Sequence, residues 1–143
     1  MAKLEMKRSL AMPADRAWEH ASDLSSLGDW MTMHQGWRSD IPDEITVGTT
    51  IVGVAGAKGM RNRVTWTVRQ FDPPSALEVS GEGVGGTRYK MIMRVASAGD
   101  GCTFTFRMDL GGAPLFGPIG AAAARAVKGD IDQAIKRFEQ LYA

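Results

Sequence analysis

The residues in this chain best suited to chemistry are two histidines, two tyrosines, one cysteine and a run of glycines. Gly81-Glu82-Gly83-Val84-Gly85-Gly86 has the spacing G-x-G-x-x-G, which cradles pyrophosphate when a strand precedes it and a helix N-terminus follows. A strand-like stretch does precede it, but a second alternating stretch from Thr87 follows, so no helix end is there to hold phosphate. The run therefore reads as a hairpin or bulge whose glycines take φ > 0 and let a sheet curve. His34 is the general-base candidate by residue type. Tyr89 places a hydroxyl on an otherwise apolar strand face and is its acid–base companion. The plain alternatives are a solvated, inert loop histidine at 34 and a structural hydrogen bond at 89. His20, beside Glu19, reads as surface. Cys102 falls in an inward register as a structural thiol. Two distant histidines and one cysteine form no metal-ligand spacing. No G-x-S-x-G or P-loop sequence occurs, and neither metal nor cofactor is expected.

Composition narrows the class. At 143 residues the chain is long enough to bury a core without staples and reads as a single domain over 1–143. Seventeen basic residues against sixteen acidic ones give a formal net charge of +1, too even for a protein that grips DNA through its phosphates. The lone cysteine excludes an internal disulfide and suits a reducing compartment. The opening MAKLEMKRSLAM breaks its apolar residues with Lys3, Glu5, Lys7 and Arg8, so no signal peptide is expected. No apolar run approaches the roughly 18 residues of a bilayer span. A cytoplasmic location is the expectation.

The elements that must position these groups follow from periodicity. Residues 3–11 alternate, with Leu4, Met6 and Leu10 on one side, which predicts a half-buried strand. Pro13 opens a helix with Ala14, Ala17, Trp18 and Ala21 on one stripe. A second short helix, capped by Ser22 or Asp23, carries Leu24, Leu27 and Trp30. Gly36–Ile41 is read as a short strand. From about Thr49 to Leu110 the pattern is strand after strand. Val64, Trp66 and Val68 share a face, Leu77 and Val79 belong to a shorter strand, then come Tyr89, Met91, Met93 and Val95, then Cys102, Phe104, Phe106, Met108 and Leu110. Turns fall at Asp72-Pro73-Pro74 and Gly99-Asp100-Gly101. Such a meander of hairpins makes an antiparallel sheet. After Leu115 the period becomes helical through Phe116, Ile119, Ala123, Val127, Ile131, Ala134, Phe138 and Leu141. Small residues (Gly120, Ala123 and Ala134) line the stripe. Gly129 costs roughly 1 kcal/mol against Ala in a helix, which points to a bend or close packing there.

This order resembles the SRPBCC superfamily of START and Bet v 1-like helix-grip proteins. The resemblance is carried by Ala11-Met12-Pro13-Ala14, by Ala17-Trp18 and Ser22-Asp23, by Trp30 at the end of the second helix, and by the meander and long C-terminal helix. Within it the chain looks like the small polyketide cyclase/dehydrase-like proteins. GGTRYKM and GGAPLFGPIG are similar to an actinobacterial group in which some relatives are regarded as growth-inhibiting toxins. The resemblance spans essentially the whole chain. It implies an α+β helix-grip fold: a curved antiparallel sheet wrapped around the C-terminal helix, two short helices after the first strand, and a cavity between sheet and helix.

The ligand-binding candidates combine that cavity with the inward register: Arg8, Trp30, Trp37, Trp66, Tyr89, Met91, Phe104, Phe106, Met108, Phe116, Ile119 and Val127. An ordinary packed core is the plain alternative for most of them. The cavity mouth is placed near Trp30–Trp37, Gly56–Met60 and Gly111–Gly117. A ligand losing about 300 Å² of apolar surface gains roughly 7 kcal/mol gross, against association costs of at least about 4 kcal/mol, so tight binding needs a polar anchor. Arg8, in register with Leu4, Met6 and Leu10, either faces a ligand carboxylate or carbonyl, or sits at a strand end or in an internal pair. Arg61, Arg63, Arg69, Arg88, Lys90, Arg94 and Arg107 are expected mostly on the outer sheet face. There they form either a solvated surface paired with Glu78 and Glu82 or a platform for RNA or an acidic protein. The leading expectation is a binding protein for a small hydrophobic or amphipathic, lipid- or polyketide-like molecule. A cyclase/dehydratase-like enzyme and a toxin-like interaction protein are the alternatives.

Overall fold

The computed structural model describes residues 2–56, 61–112 and 117–143, with the side chains of Ala2 and Ile119 outside that description. Strand β1 (Ala2–Leu10) is followed by helix α1 (Ala14–Ala21), a 3-10 turn (Leu24–Ser26) and the short helix α2 (Leu27–Trp30). Strands β2 (His34–Trp37), β3 (Thr50–Ala55), β4 (Asn62–Asp72), β5 (Ala76–Gly83), β6 (Arg88–Ala98) and β7 (Gly101–Gly111) precede helix α3 (Gly117–Tyr142). All seven strands form one antiparallel sheet in the order β1-β7-β6-β5-β4-β3-β2. β1 and β2 are successive strands at opposite edges, and the α1–α2 segment carries the chain between them. This is the helix-grip arrangement read from the sequence. Local chemistry supports each turn. Pro13 precedes α1 in extended backbone, and Asp23 accepts from the Ser25 backbone N–H to start the 3-10 turn.

The inward faces meet as the alternation predicts. Val64 and Val68 are buried, while Trp66 is half-buried on the same face of β4. Met91, Met93 and Val95 of β6 and Phe104, Phe106 and Met108 of β7 are buried beside them. One end of this interior is tightly filled. Trp30 stands edge-on to Phe138 and Phe104, with ring centroids 5.1 and 6.3 Å away, and Phe104 meets Phe138 at 5.2 Å. Ile131, Ala134, Ile135 and Phe138 of α3 are all buried there. On the outer face Arg107 forms an ion pair with the buried Asp109 at 3.0 Å.

Three local readings change. The strand expected at Gly36–Ile41 lies at His34–Trp37, because Gly36, at φ 133°, sits where the register with β3 shifts. Arg38 and Ser39 then continue only isolated bonds to Val52. Gly129 is exposed with nothing in reach of an added Cβ, so it reflects no close packing. The glycine run divides in two. Gly85 and Gly86 take φ of 77° and 83° and make the turn, as expected. Gly81 belongs to β5 and is glycine for space, since a Cβ there would come within 2.7 Å of Val64 and 2.8 Å of Trp66.

Candidate ligand-binding site

Between the sheet and the first half of α3 lies a cavity of about 810 Å³. Leu24, Leu27, Met31 and Met33 close one side. Trp37 and Ile51 come from β2 and β3, Trp66 and Val79 from β4 and β5, and Tyr89, Met91, Met108 and Leu110 from β6 and β7. The roof is Ala122, Ala123, Ala126 and Val127 of α3. Small helix side chains facing large strand side chains leave this volume unfilled.

The polar groups in the wall are few. Trp37 spends its indole N–H on the Leu24 carbonyl at 2.8 Å, which fixes the ring and leaves its face to the cavity. The His34 ring meets Trp37 at a centroid distance of 4.3 Å, tilted by 49°. Desolvation by burial pulls its pKa below the ordinary imidazole value, so the ring is neutral at neutral pH. At the other end Asn62 begins β4 on the face of Val64 and Trp66. Its Nδ2 donates to Tyr89 Oη at 2.9 Å and to Thr87 Oγ1 at 3.1 Å. Its Oδ1 accepts from the Val84 backbone N–H at 2.9 Å. Arg61, exposed, also borders the cavity. Among the described residues no cluster of His, Cys, Asp and Glu could hold a metal ion.

The candidates from the sequence separate cleanly. Trp37, Trp66, Tyr89, Met91, Met108 and Val127 line the cavity, as does His34. His34 opens strand β2 rather than lying in a loop, and burial rather than solvation sets its state. Trp30, Phe104 and Phe106 do not line the cavity. All three are buried in the core, and Trp30 and Phe104 pack against the large Phe138 of α3, which fills the space they face. Arg8 does not line it either. Its guanidinium pairs with Glu139 on α3 at 2.8 Å, as the internal-pair reading had it. Phe116 and the side chain of Ile119 fall outside the described residues, as do residues 57–60 and 113–116 of the expected mouth. Arg61 leaves the outer-face set for the cavity border. Cys102 is buried, and desolvation pushes its thiol pKa up, which keeps it unreactive.

The sequence reading missed Asn62, although it shares the inward register of Val64 and Trp66. An inward polar residue at a strand start was the available signal. Leu24, Leu27, Met31 and Met33 were also missed as lining, because helical spacing marks an apolar face without saying whether its partner is side chain or void.

Comparison with known proteins places this geometry. The whole chain, residues 1–143, matches the family described as polyketide cyclase / dehydrase and lipid transport. It is 47% identical over 142 residues to an uncharacterized Mycobacterium tuberculosis protein, Rv1546, covering 99% of each chain. It is 38% identical over 143 residues to the M. tuberculosis protein named toxin Rv0910, covering 100% of this chain and 99% of the relative. A solved START superfamily protein from Mycobacterium smegmatis superposes with a TM-score of 0.75 at 16% identity, over 97% of this chain and 98% of the other. No described helix is long and apolar enough to cross a membrane. By sequence over residues 1–143 this chain belongs to the polyketide cyclase/dehydrase and lipid transport family, and it shares the helix-grip fold of the solved START superfamily protein.

Proposed function

We propose that this protein holds one small hydrophobic or amphipathic molecule, of lipid or polyketide type, in the cavity between sheet and α3. The observation that carries the reading is the cavity itself, about 810 Å³ and walled mainly by Leu, Met, Ala, Val and Trp side chains. Pockets for small molecules fall in the range of about 300–1,000 Å³ with few, placed polar groups. Met31, Met33, Met91 and Met108 give the wall adaptable surfaces. Trp37 and Trp66 supply flat faces for a ring or chain. Native mass spectrometry of protein purified gently from cells tests this: a lipid-like adduct is expected, and Trp66→Ala should retain less of it. Recovery without any adduct, together with no binding of titrated apolar probes, overturns the reading.

Two other roles have one observation each. Growth inhibition is favoured by the 38% identical relative named a toxin, and normal growth under induced expression would remove it. Acid–base catalysis is favoured by a neutral His34 in the same cavity as Tyr89. Unchanged turnover of a polyketide-like substrate by His34→Ala would remove His34 as the base.

A further inference from the structure

The polar end of the cavity has a hydrogen-bond sense that can be worked out atom by atom. The Val84 backbone N–H can only donate, so the Asn62 atom it meets at 2.9 Å is the carbonyl Oδ1. That fixes the amide, and Nδ2 faces Thr87 and Tyr89 with its two protons. Thr87 Oγ1 donates to the Val84 carbonyl at 3.2 Å and accepts from Asn62. Tyr89 Oη accepts from Asn62 as well, and among the described residues its own proton has no acceptor. Asn62 has both protons and its oxygen engaged, and Thr87 is held the same way. Of these three side chains Tyr89 alone is left with a donor, at the wall of a mainly apolar cavity.

Resting on the binding reading above, we propose that Tyr89 is the polar anchor of this cavity, donating its hydroxyl proton to an acceptor oxygen on the ligand. Asn62 is the positioning residue that makes Tyr89 a donor. The ligand is then apolar over most of its surface and presents a carbonyl or carboxylate oxygen at the Asn62–Tyr89 end. Trp66, which also lines the cavity, meets the Tyr89 ring at a centroid distance of 6.0 Å. A hydroxyl proton that an apolar ligand covers without an acceptor carries a desolvation cost, which an acceptor oxygen relieves and a hydrocarbon does not. The site therefore discriminates by chemistry as well as by shape.

The experiment uses the full chain and two probes of matched shape, 2-acetylanthracene and 2-isopropenylanthracene, titrated by fluorescence. The wild-type protein is expected to bind the ketone about tenfold more tightly than the hydrocarbon, the scale of one hydrogen bond to the ligand. Tyr89→Phe should remove that preference while the hydrocarbon binds as before, which also reports an intact cavity. Asn62→Asp should do the same by a different route. A carboxylate cannot donate, so Tyr89 would turn its proton to position 62 and away from the ligand. Infrared spectra of the bound ketone give a readout that packing alone does not move. Its carbonyl stretch should lie lower in the wild-type protein and return upward in both variants. Should Tyr89→Phe also lose the hydrocarbon, the infrared comparison between wild type and Asn62→Asp decides. Equal binding of the two probes by the wild-type protein, or a preference and stretch unchanged in both variants, overturns the anchor and leaves the binding reading standing. Failure of both probes to bind overturns the two together.

Discussion

Helix α3 faces two different interiors along its length. Its second half buries Ile131, Ala134, Ile135 and Phe138 completely against Trp30, Phe104 and the inner face of the sheet. Its first half lays Ala122, Ala123, Ala126 and Val127 over a cavity of about 810 Å³. The same sheet supplies large side chains to both ends, so the difference lies in the helix. A large ring at 138 closes the interior, and methyl groups at 122, 123 and 126 leave it open. The tryptophans divide the same way. Trp30 is buried among phenylalanines and its Nε1 has no hydrogen-bond partner among the described residues, whereas Trp37 anchors its N–H on Leu24 and turns its ring to the cavity. One end holds the fold together while the other keeps space, and substitutions at the two ends should separate stability from binding.

The largest effect belongs to the packed end. Phe138→Ala removes a fully buried ring that touches Trp30, Phe104 and Tyr142, and should cost about 3–5 kcal/mol in chemical denaturation. A loss below about 1 kcal/mol would show that the two ends do not differ as described. The cavity end should respond the opposite way. Ala126→Trp fills empty volume, so stability should move by no more than about 1 kcal/mol, within the range of tolerated surface and cavity-filling changes. Affinity for 2-acetylanthracene should fall at least about tenfold, or roughly 1.4 kcal/mol. Retained affinity would place the probe elsewhere.

Alternation and helical spacing were enough to mark the strands, set their inward faces and mark the long helix, because burial of one face imposes those periods; that β1 joins β7 at one edge of the sheet was not among those readings. The resemblance carried the expectation of a cavity, yet neither source located it along the helix. Phe104 and Phe106 sit in the same alternating pattern as Met108 and look equivalent in sequence. Yet Phe104 meets Phe138 of α3 and Phe106 is fully buried, while Met108 reaches the cavity wall, a difference fixed by how the helix crosses the sheet. Arg8 shows the same limit. Its register correctly aims it toward α3, but the partner there is Glu139, 131 positions away along the chain, and no local pattern connects them. Gly81 was legible as a special position but not for the right reason. Its need is the close approach of Val64 and Trp66 across the β4–β5 register, a long-range fact.

The Arg8–Glu139 pair ties β1 to α3 at the packed end, with both side chains more than a third exposed. Solvent screens such a pair to about 0.2–1 kcal/mol. Arg8→Ala should therefore lower stability by no more than that, while both anthracene probes bind as they do to the wild-type protein. Weakened ketone binding would restore Arg8 as a ligand partner and blur the division between the ends.

The smallest effect is a slope and belongs to the cavity end. Burial beside Trp37 lowers the His34 pKa in the folded protein, desolvation being the cause. In the unfolded chain the imidazole titrates near its ordinary value of about 6.5. Below that pH the unfolded chain takes up a proton that the folded protein resists, and uptake by the unfolded state alone favours unfolding. The contribution of His34 is thus fully present above about pH 6.5 and is lost as pH falls toward and through the lower folded value. Denaturation curves across this window should show wild-type stability falling more steeply with acidification than that of His34→Gln, whose side chain carries no proton to gain. Parallel pH dependence in the two proteins would mean that water reaches the ring freely. In that case the cavity wall at β2 would be wetter than its Leu, Met and Trp neighbours imply, and the contrast between an apolar cavity and a packed core would have to be redrawn at this edge.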